Sequence, residues 1–277
     1  MPIPEITVVT ACDPKYLERL TWSLRTWREV KGITWPVVVF VNGLDGANTK
    51  ATSAVQQLTK WHNVSLVEWN PPGAETQRER MLSAFILGVA EHITTPWHLK
   101  LDADTIATND EPWHEESWFN DYDLISNGWG YTKPGHWIER VDWWMCGLAL
   151  AGKIPHKDGR DKYWNGQKNE KGKKIKVARP YVGKPEDYEL HGDPANPNRL
   201  KHKSRRIISW LKFMKTDIAR EIADNLPLGR MPVASEDTLT WRWCHNLGKR
   251  IKRHRFKHHG WAHTKHCIAG AKEVLGD

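Results

Sequence analysis

Residues 95–105 read TPWHLKLDADT, and how this stretch is read decides the fold. Trp97, Leu99 and Leu101 alternate with His98 and Lys100, the period-two pattern of a short strand, and Asp102 and Asp104 follow where the apolar run stops. In open α/β sheets, ligands bind outside the carboxyl ends of the strands. An Asp-x-Asp at such a point supplies the oxygen ligands a divalent cation needs to sit against a diphosphate. The same two acids also occur in ordinary solvated turns, so the flanking chain has to carry the reading.

Upstream the chain repeats one unit. Residues 6–10 (ITVVT) predict a buried strand, and Ala11-Cys12-Asp13-Pro14 a turn in which Asp13 caps a helix with Pro14 in its first position. Leu17, Leu20, Leu24 and Trp27 then recur at helical spacing. Residues 37–41 (VVVFV) predict a second buried strand ending at Asn42-Gly43, and residues 51–61 a helix with Val55 and Leu58 inward. Residues 64–69 (VSLVEW) predict a third strand, closed by Asn70-Pro71-Pro72-Gly73. Residues 75–92 predict a long helix burying Met81, Ala84, Phe85, Gly88 and Val89, with Arg78 and Arg80 near its start, where an anion is favoured. Strands separated by helices predict an α/β fold: a mostly parallel central sheet with right-handed crossovers, flanked by helices. Neither a Gly-x-Gly-x-x-Gly dinucleotide fingerprint nor a P-loop is present.

Downstream, residues 124–131 (LISNGWGY) predict a strand with a glycine-broken end. Residues 153–206 are poor in apolar side chains and rich in Gly, Asn, Pro and Lys, which predicts a long, mobile, basic insert. Residues 207–226 return to helical spacing, with Leu211, Met214, Ile218 and Ile222 on one face. Ser235 is placed to cap a helix over residues 239–247, and Glu236 and Asp237 are then the acids that a helix start ordinarily carries. The basic run KRIKRHRFK (249–257) leads into HHGWAHTKH (258–266), where His259, Trp261 and His263 would share one face of a strand.

Composition narrows the class. A chain of 277 residues with mean hydropathy −0.65 and no apolar run near the roughly 18 residues of a membrane span predicts one domain, or two closely joined halves, away from membranes. The start, MPIPEITVV, lacks the basic flank of a secretory signal, so the cytoplasm is the expected location. Cys12, Cys146, Cys244 and Cys267 are far apart with no Cys-x-x-Cys pair, which argues against a zinc ribbon or a disulfide framework. The net charge of +8 divides unevenly: residues 1–150 carry 12 Lys+Arg against 19 Asp+Glu (−7), and residues 151–277 carry 29 against 14 (+15). Such asymmetry predicts that the second half faces a polyanion. The seventeen tryptophans are unusual: many must be core, and indoles in a basic half also suit stacking on bases or sugar rings.

The order of features, from the N-terminal strand and turn through Asp102-Ala103-Asp104 to Ser235-Glu236-Asp237 and the late histidines, resembles the GT-A (Rossmann-like) glycosyltransferases. The closest type is the inverting family 2, over nearly the whole chain apart from residues 110–205. The resemblance implies that Asp102 and Asp104 bind Mn²⁺ or Mg²⁺ with the nucleotide diphosphate of a donor, most commonly a UDP-sugar. It implies Asp237 as general base, with Glu236 as second choice, and His263 or else His259 as completing the metal shell. Thr10, Ala11 and Asp13, in the turn after the first strand, would hold the nucleoside base, with Ala103 between the metal-binding acids. Residues 1–110 would then form the nucleotide-sugar half and residues 111–277 the acceptor and catalytic half of one domain, with the basic insert at about 153–206.

The residue types suit that chemistry. A leaving diphosphate needs its charge neutralised, and a carboxylate has to take the proton of the attacking hydroxyl. A +15 acceptor side without a membrane segment points toward DNA: a hydroxymethylpyrimidine such as 5-hydroxymethylcytosine, glycosylated as some bacteriophage enzymes do, with the nucleotide flipped out of the duplex. The competing readings are transfer to a glycan, protein or surface polymer, a non-catalytic nucleic-acid-binding protein on this fold, and a metal-dependent nuclease.

Overall fold

The short apolar runs of the first hundred residues form strands, as their composition requires. The computed structural model describes residues 3–43, 49–71, 77–127, 129–131, 162–178, 205–207, 211–226, 236–254, 261–263 and 266–277. Its strands are β1 (Ile6–Cys12), β2 (Val37–Val41), β3 (Val64–Glu68), β4 (Trp97–Leu101), β5 (Thr105–Ala107), β6 (Leu124–Ser126), β7 (Trp129–Tyr131), β8 (Lys162–Lys168), β9 (Lys174–Ala178), β10 (Arg205–Ile207), β11 (Leu211–Lys215), β12 (Ile251–Arg253) and β13 (Trp261–His263). Its helices are α1 (Leu17–Glu29), α2 (Thr49–Thr59), α3 (Gln77–Ser83), α4 (Val89–His92), α5 (Trp118–Asp121), α6 (Thr216–Asp224), α7 (Glu236–Asn246) and α8 (Cys267–Leu275), with a π-helical segment, Ala84–Gly88, joining α3 to α4.

Seven strands form one sheet in the order β12-β6-β11-β4-β1-β2-β3. All neighbours are parallel except β11, which runs antiparallel to both β4 and β6. This is the mostly parallel, helix-flanked α/β sheet predicted from the alternation of strands and helices. Helices cover both faces. Ile6, Val8, Leu99, Leu101 and Phe213 pack against Leu17, Leu20, Leu24 and Trp27 of α1 and Leu58 of α2. On the opposite face Val9, Ala11 and Met214 pack against Phe85, Ile86, Val89, Ile218, Ile222 and Leu239. Full burial of each such side chain contributes about 1.5–3 kcal/mol. Because both faces are covered, all five residues of β4 are buried, His98 and Lys100 included. Burial, reinforced by Lys212 and Arg220, lowers His98 to about 3, so the ring is neutral.

Two expectations need correction. Residues 211–215 are a strand, although Leu211, Met214, Ile218 and Ile222 have helical spacing; the helix begins only at Thr216. The reason is tertiary: the slot between β4 and β6 pairs β11 on both edges, and Leu211 and Phe213 fill one face while Met214 fills the other. Within the basic insert, residues 162–178 are an antiparallel hairpin rather than structureless chain. Asn169 builds its turn, with Oδ1 accepting from the Lys171 and Lys173 amides at 3.1 and 2.9 Å, and Gly172 takes φ +71°. The other insert residues lie outside the described ones, apart from those in β10. As expected of many of the tryptophans, Trp27, Trp69, Trp97, Trp113, Trp118, Trp241 and Trp243 are core; Trp241 and Trp243, in the basic half, pack there rather than at a ligand-facing surface.

One ion-pair node ties the far edge of the sheet together. Asp123, just before β6, accepts from Lys215 Nζ at 2.7 Å and from the Arg250 amide at 2.8 Å. Burial alone would raise this carboxyl, but Lys215 and Arg250 outweigh it and hold it down to about 2. A carboxyl depressed on folding stabilises the native state above its unfolded pKa of ~3.9, and that contribution disappears as pH falls toward 2. Asp123→Asn is expected to cost about 1 kcal/mol at pH 7, after screening at the exposed Lys215 and Arg250, and almost nothing near pH 2. Denaturant melts at the two pH values check this; an equal loss at both would mean that packing, not charge, explains the effect.

Candidate active site

Strand β4 ends in a tight turn, in which the Thr105 amide donates to the Asp102 carbonyl at 3.1 Å. Helix α1 fixes the chain beyond it. Ser23 Oγ and Trp27 Nε1 both donate to the Thr105 carbonyl, the latter at 2.8 Å, and the Ala107 amide donates to Thr26 Oγ1 at 2.9 Å. Three polar groups of one helix therefore anchor the backbone that presents Asp102 and Asp104. Both aspartates are half-buried, and Ala103 between them is buried.

The centre of the site is a charge cluster that local sequence reading did not anticipate. Lys100 and Lys212 lie opposite one another in the β4–β11 register and are both buried. Between their ammonium groups lies Glu236, the first residue of α7, with Oε1 at 2.6 Å from Lys100 Nζ and 3.4 Å from Lys212 Nζ. Lys100 Nζ is also 3.4 Å from Asp102 Oδ1 and 3.7 Å from Asp237 Oδ1. It stands 4.5 Å from the centre of the Phe85 ring, on the π-helical segment. Asp102 of the Asp-x-Asp turn and the two acids that open α7, Glu236 and Asp237, thus meet across one buried lysine.

The environments of the two acids of α7 diverge. Burial pushes Glu236 upward, but Lys100 and Lys212 outweigh it and hold the carboxylate ionised. Asp237 goes the other way: burial and the adjacent Glu236 charge raise it well above the usual carboxylate range. Its Oδ1 accepts no hydrogen bond among the described residues. A half-buried carboxylate of raised basicity, with a spare acceptor lone pair on Oδ1, is suited to take a proton from a hydroxyl. The half-buried carboxylates of Asp102 and Asp104, at the end of β4, are hard oxygen donors of the kind a divalent cation takes.

The other expected residues fall in different places. β1 extends to Cys12, so Thr10 and Ala11 are buried strand residues rather than part of a turn. Asp13 follows directly, and its carboxylate pairs with Lys15 at 2.8 Å instead of capping the short 3₁₀ turn at Pro14–Tyr16. Arg80 sits in α3 with Nε buried and making no hydrogen bond among the described residues, while its carbonyl accepts from Trp69 Nε1 at 3.0 Å. The side chain of Arg78 lies outside the described residues, as do Ser235 and His259. β13 pairs antiparallel with β5, which sets the His263 backbone opposite Thr105, next to Asp104. Among the described residues no group of three metal-binding side chains is complete.

Lys100 and Lys212 did leave a trace in the sequence: each interrupts an apolar run, WHLKL and LKFMK. A lysine flanked by core residues on a strand covered on both faces has to find a buried anion.

No protein-family model matches the sequence, and no curated protein matches it. Solved structures do match in three dimensions. The mannosyltransferase Ktr4p from S. cerevisiae aligns at TM-score 0.54 and 11% identity, covering 94% of this chain and 70% of its own. Its complex with GDP aligns at 0.53 and 10%, covering 94% and 71%. Core-mannan synthase A from Aspergillus fumigatus, in an Mn/GDP form, aligns at 0.56 and 10%, covering 94% and 74%. At such identities the likeness is one of fold, and it agrees with the sheet order and the helix-covered faces: the chain has the GT-A fold.

Proposed function

We propose that this protein is a glycosyltransferase that moves a sugar from a nucleoside diphosphate donor to a hydroxyl group, with inversion. The observation that carries the reading is the convergence of Asp102 and Asp237 on Lys100, at 3.4 and 3.7 Å, from distant parts of the chain. Support for the donor class comes from the GT-A fold and from the GDP and Mn/GDP forms of the structures above. Residues 1–110 are read as the donor half and residues 111–277 as the acceptor half.

Asp102 and Asp104 would hold Mn²⁺ or Mg²⁺, with His263 or His259 as a further ligand, and the ion would supply positive charge to the leaving diphosphate. The acceptor oxygen attacks the anomeric carbon as the bond to the diphosphate breaks, and its proton passes to Asp237. Glu236, ionised between two lysines, is poorly placed to take a proton. The nucleotide is UDP or GDP: UDP is the commonest donor for the fold, and GDP is the ligand named with Ktr4p and the Aspergillus synthase.

For the acceptor we favour a hydroxymethylated pyrimidine in DNA. Support comes from the +15 charge of residues 151–277 and from the hairpin of residues 162–178, in which Lys168, Lys171 and Lys173 are exposed around the turn. Among the described residues no helix is long and apolar enough to cross a membrane.

Incubation with Mn²⁺, a panel of UDP- and GDP-sugars, and hydroxymethylcytosine, hydroxymethyluracil or unmodified DNA, followed by digestion to nucleosides and mass measurement, tests both levels. A hexose added only to the hydroxymethylated nucleoside is expected. Turnover with a glycan acceptor but none with DNA would remove the acceptor reading, and no consumption of any donor would remove the transferase. Replacing Lys171, Lys173, Lys174 and Lys176 by Gln is expected to weaken duplex binding in gel shifts and to flatten its salt dependence by up to about 0.9 per lost phosphate contact. Donor affinity is expected to stay unchanged; a change there instead would assign the hairpin to the donor half.

A further inference from the structure

We propose that Lys100, Lys212 and Glu236 act as a positioning clamp that sets the Asp237 carboxylate at a fixed separation from Asp102. The proposal rests on the transferase reading for its catalytic consequence, and on the geometry alone for the clamp.

Three observations lead to it. The antiparallel register sets Lys100 opposite Lys212 on adjacent central strands, so two ammonium groups leave the same face of the sheet. Neither can be buried without an anion, and Glu236 Oε1 reaches both, at 2.6 and 3.4 Å. Because Glu236 opens α7, anchoring it fixes the first turn of that helix, and Asp237 is the next residue. Lys100 in turn is 3.4 Å from Asp102, and its Nζ stands 4.5 Å from the centre of the Phe85 ring. One chain of contacts therefore runs from the Asp-x-Asp turn through Lys100 and Glu236 to Asp237, with Lys212 bracing the middle.

Stability alone does not favour this design. Apolar residues of similar volume would hold α7 on the sheet at least as well, since desolvating several charges costs more than their attraction commonly returns. What an apolar patch cannot do is hold the buried Glu236 carboxylate ionised, at a defined position beside the half-buried Asp237 carboxyl. Two lysines accomplish that. Lys212 is fully buried and pairs with Glu236 at 3.4 Å, which makes it a positioning residue in this proposal.

Lys212→Met keeps the volume, removes the brace and leaves the Lys100–Glu236 pair in place, so the variant should fold. In sugar transfer with Mn²⁺ and the active donor, kcat is expected to fall about tenfold or more while the donor KM moves by less than about threefold. The decisive measurement is the cycle with Asp237→Asn. If Lys212 works through Asp237, Lys212→Met has no further effect on kcat in the Asp237→Asn background. The same proportional loss in both backgrounds, or no loss in the first, would overturn the clamp. The cycle is repeated in urea unfolding, which needs no turnover: the stability changes of the two substitutions are expected to be non-additive, and simple additivity would overturn the clamp even for a protein that transfers no sugar. Absence of turnover in wild type together with non-additive unfolding would keep the clamp and discard the transferase reading.

Discussion

Asp237→Asn is expected to lower sugar transfer by about 10²–10⁴-fold while leaving binding of Mn²⁺ and nucleoside diphosphate within a small factor of wild type. The amide keeps the shape of the carboxylate but cannot accept the proton released as the acceptor oxygen attacks. The same substitution is not expected to destabilise the fold. A carboxyl raised on folding opposes the native state once pH exceeds its unfolded pKa of ~3.9, because the folded chain must either hold a proton that the unfolded chain releases or ionise where ionisation is disfavoured. Asn has no ionisable group, so the substitution removes that opposition at pH 7. The expected variant is therefore inactive and at least as stable as wild type, the pattern of a group held in place for chemistry rather than for folding. Calorimetric titration with Mn²⁺ and GDP or UDP, a transfer assay and a thermal melt separate the three quantities. Turnover near wild type would move the general base elsewhere, and a variant that melts early would make Asp237 part of the scaffold.

Glu236→Gln is expected to do the opposite, damaging the fold first. Its carboxylate is the shared anion of two buried lysines, and Gln leaves Lys212 without a countercharge while Lys100 retains Asp102 and Asp237 nearby. Breaking a buried pair by removing one partner costs about 3–5 kcal/mol. That is a large part of the roughly 5–15 kcal/mol that holds a typical domain together. Urea titration at pH 7 measures it, and the double variant Glu236→Gln/Lys212→Met is expected to recover much of the loss, because the stranded ammonium is then gone. A single variant as stable as wild type would mean that the lysines find another anion, and the cluster would not be the one described.

These two neighbours show how unequally the site could be read from the sequence. Asp102, Asp104 and Asp237 could be singled out as candidates because each sits at an element boundary, an apolar run ending in acids or a helix opening with them, and such boundaries are marked by a handful of adjacent residues. The role of Glu236 was not visible. As a first-turn acid it looked like ordinary helix-start chemistry, and its partners Lys100 and Lys212 lie on two strands, far away in the chain and from each other. The stretch 211–215 failed for a related reason. Its apolar spacing continues into Thr216–Asp224, so the pattern reads as one helix until it is known that β4 and β6 leave a central slot that only an extended segment can pair.

The amino-acid sequence by itself determined the strand and helix alternation of the first hundred residues, the α/β class, and the acids at the strand and helix ends. Those features depend on side-chain period and turn chemistry within a few residues. Only the tertiary structure decided that β11 is a strand, that seven of the tryptophans are core, and that Lys100, Lys212, Glu236, Asp237 and Asp102 form one cluster. The physical reason is range. Burial on both faces of a sheet and the meeting of charges in low dielectric depend on which strands pair and which helix docks over them, and no local window of the chain contains both partners.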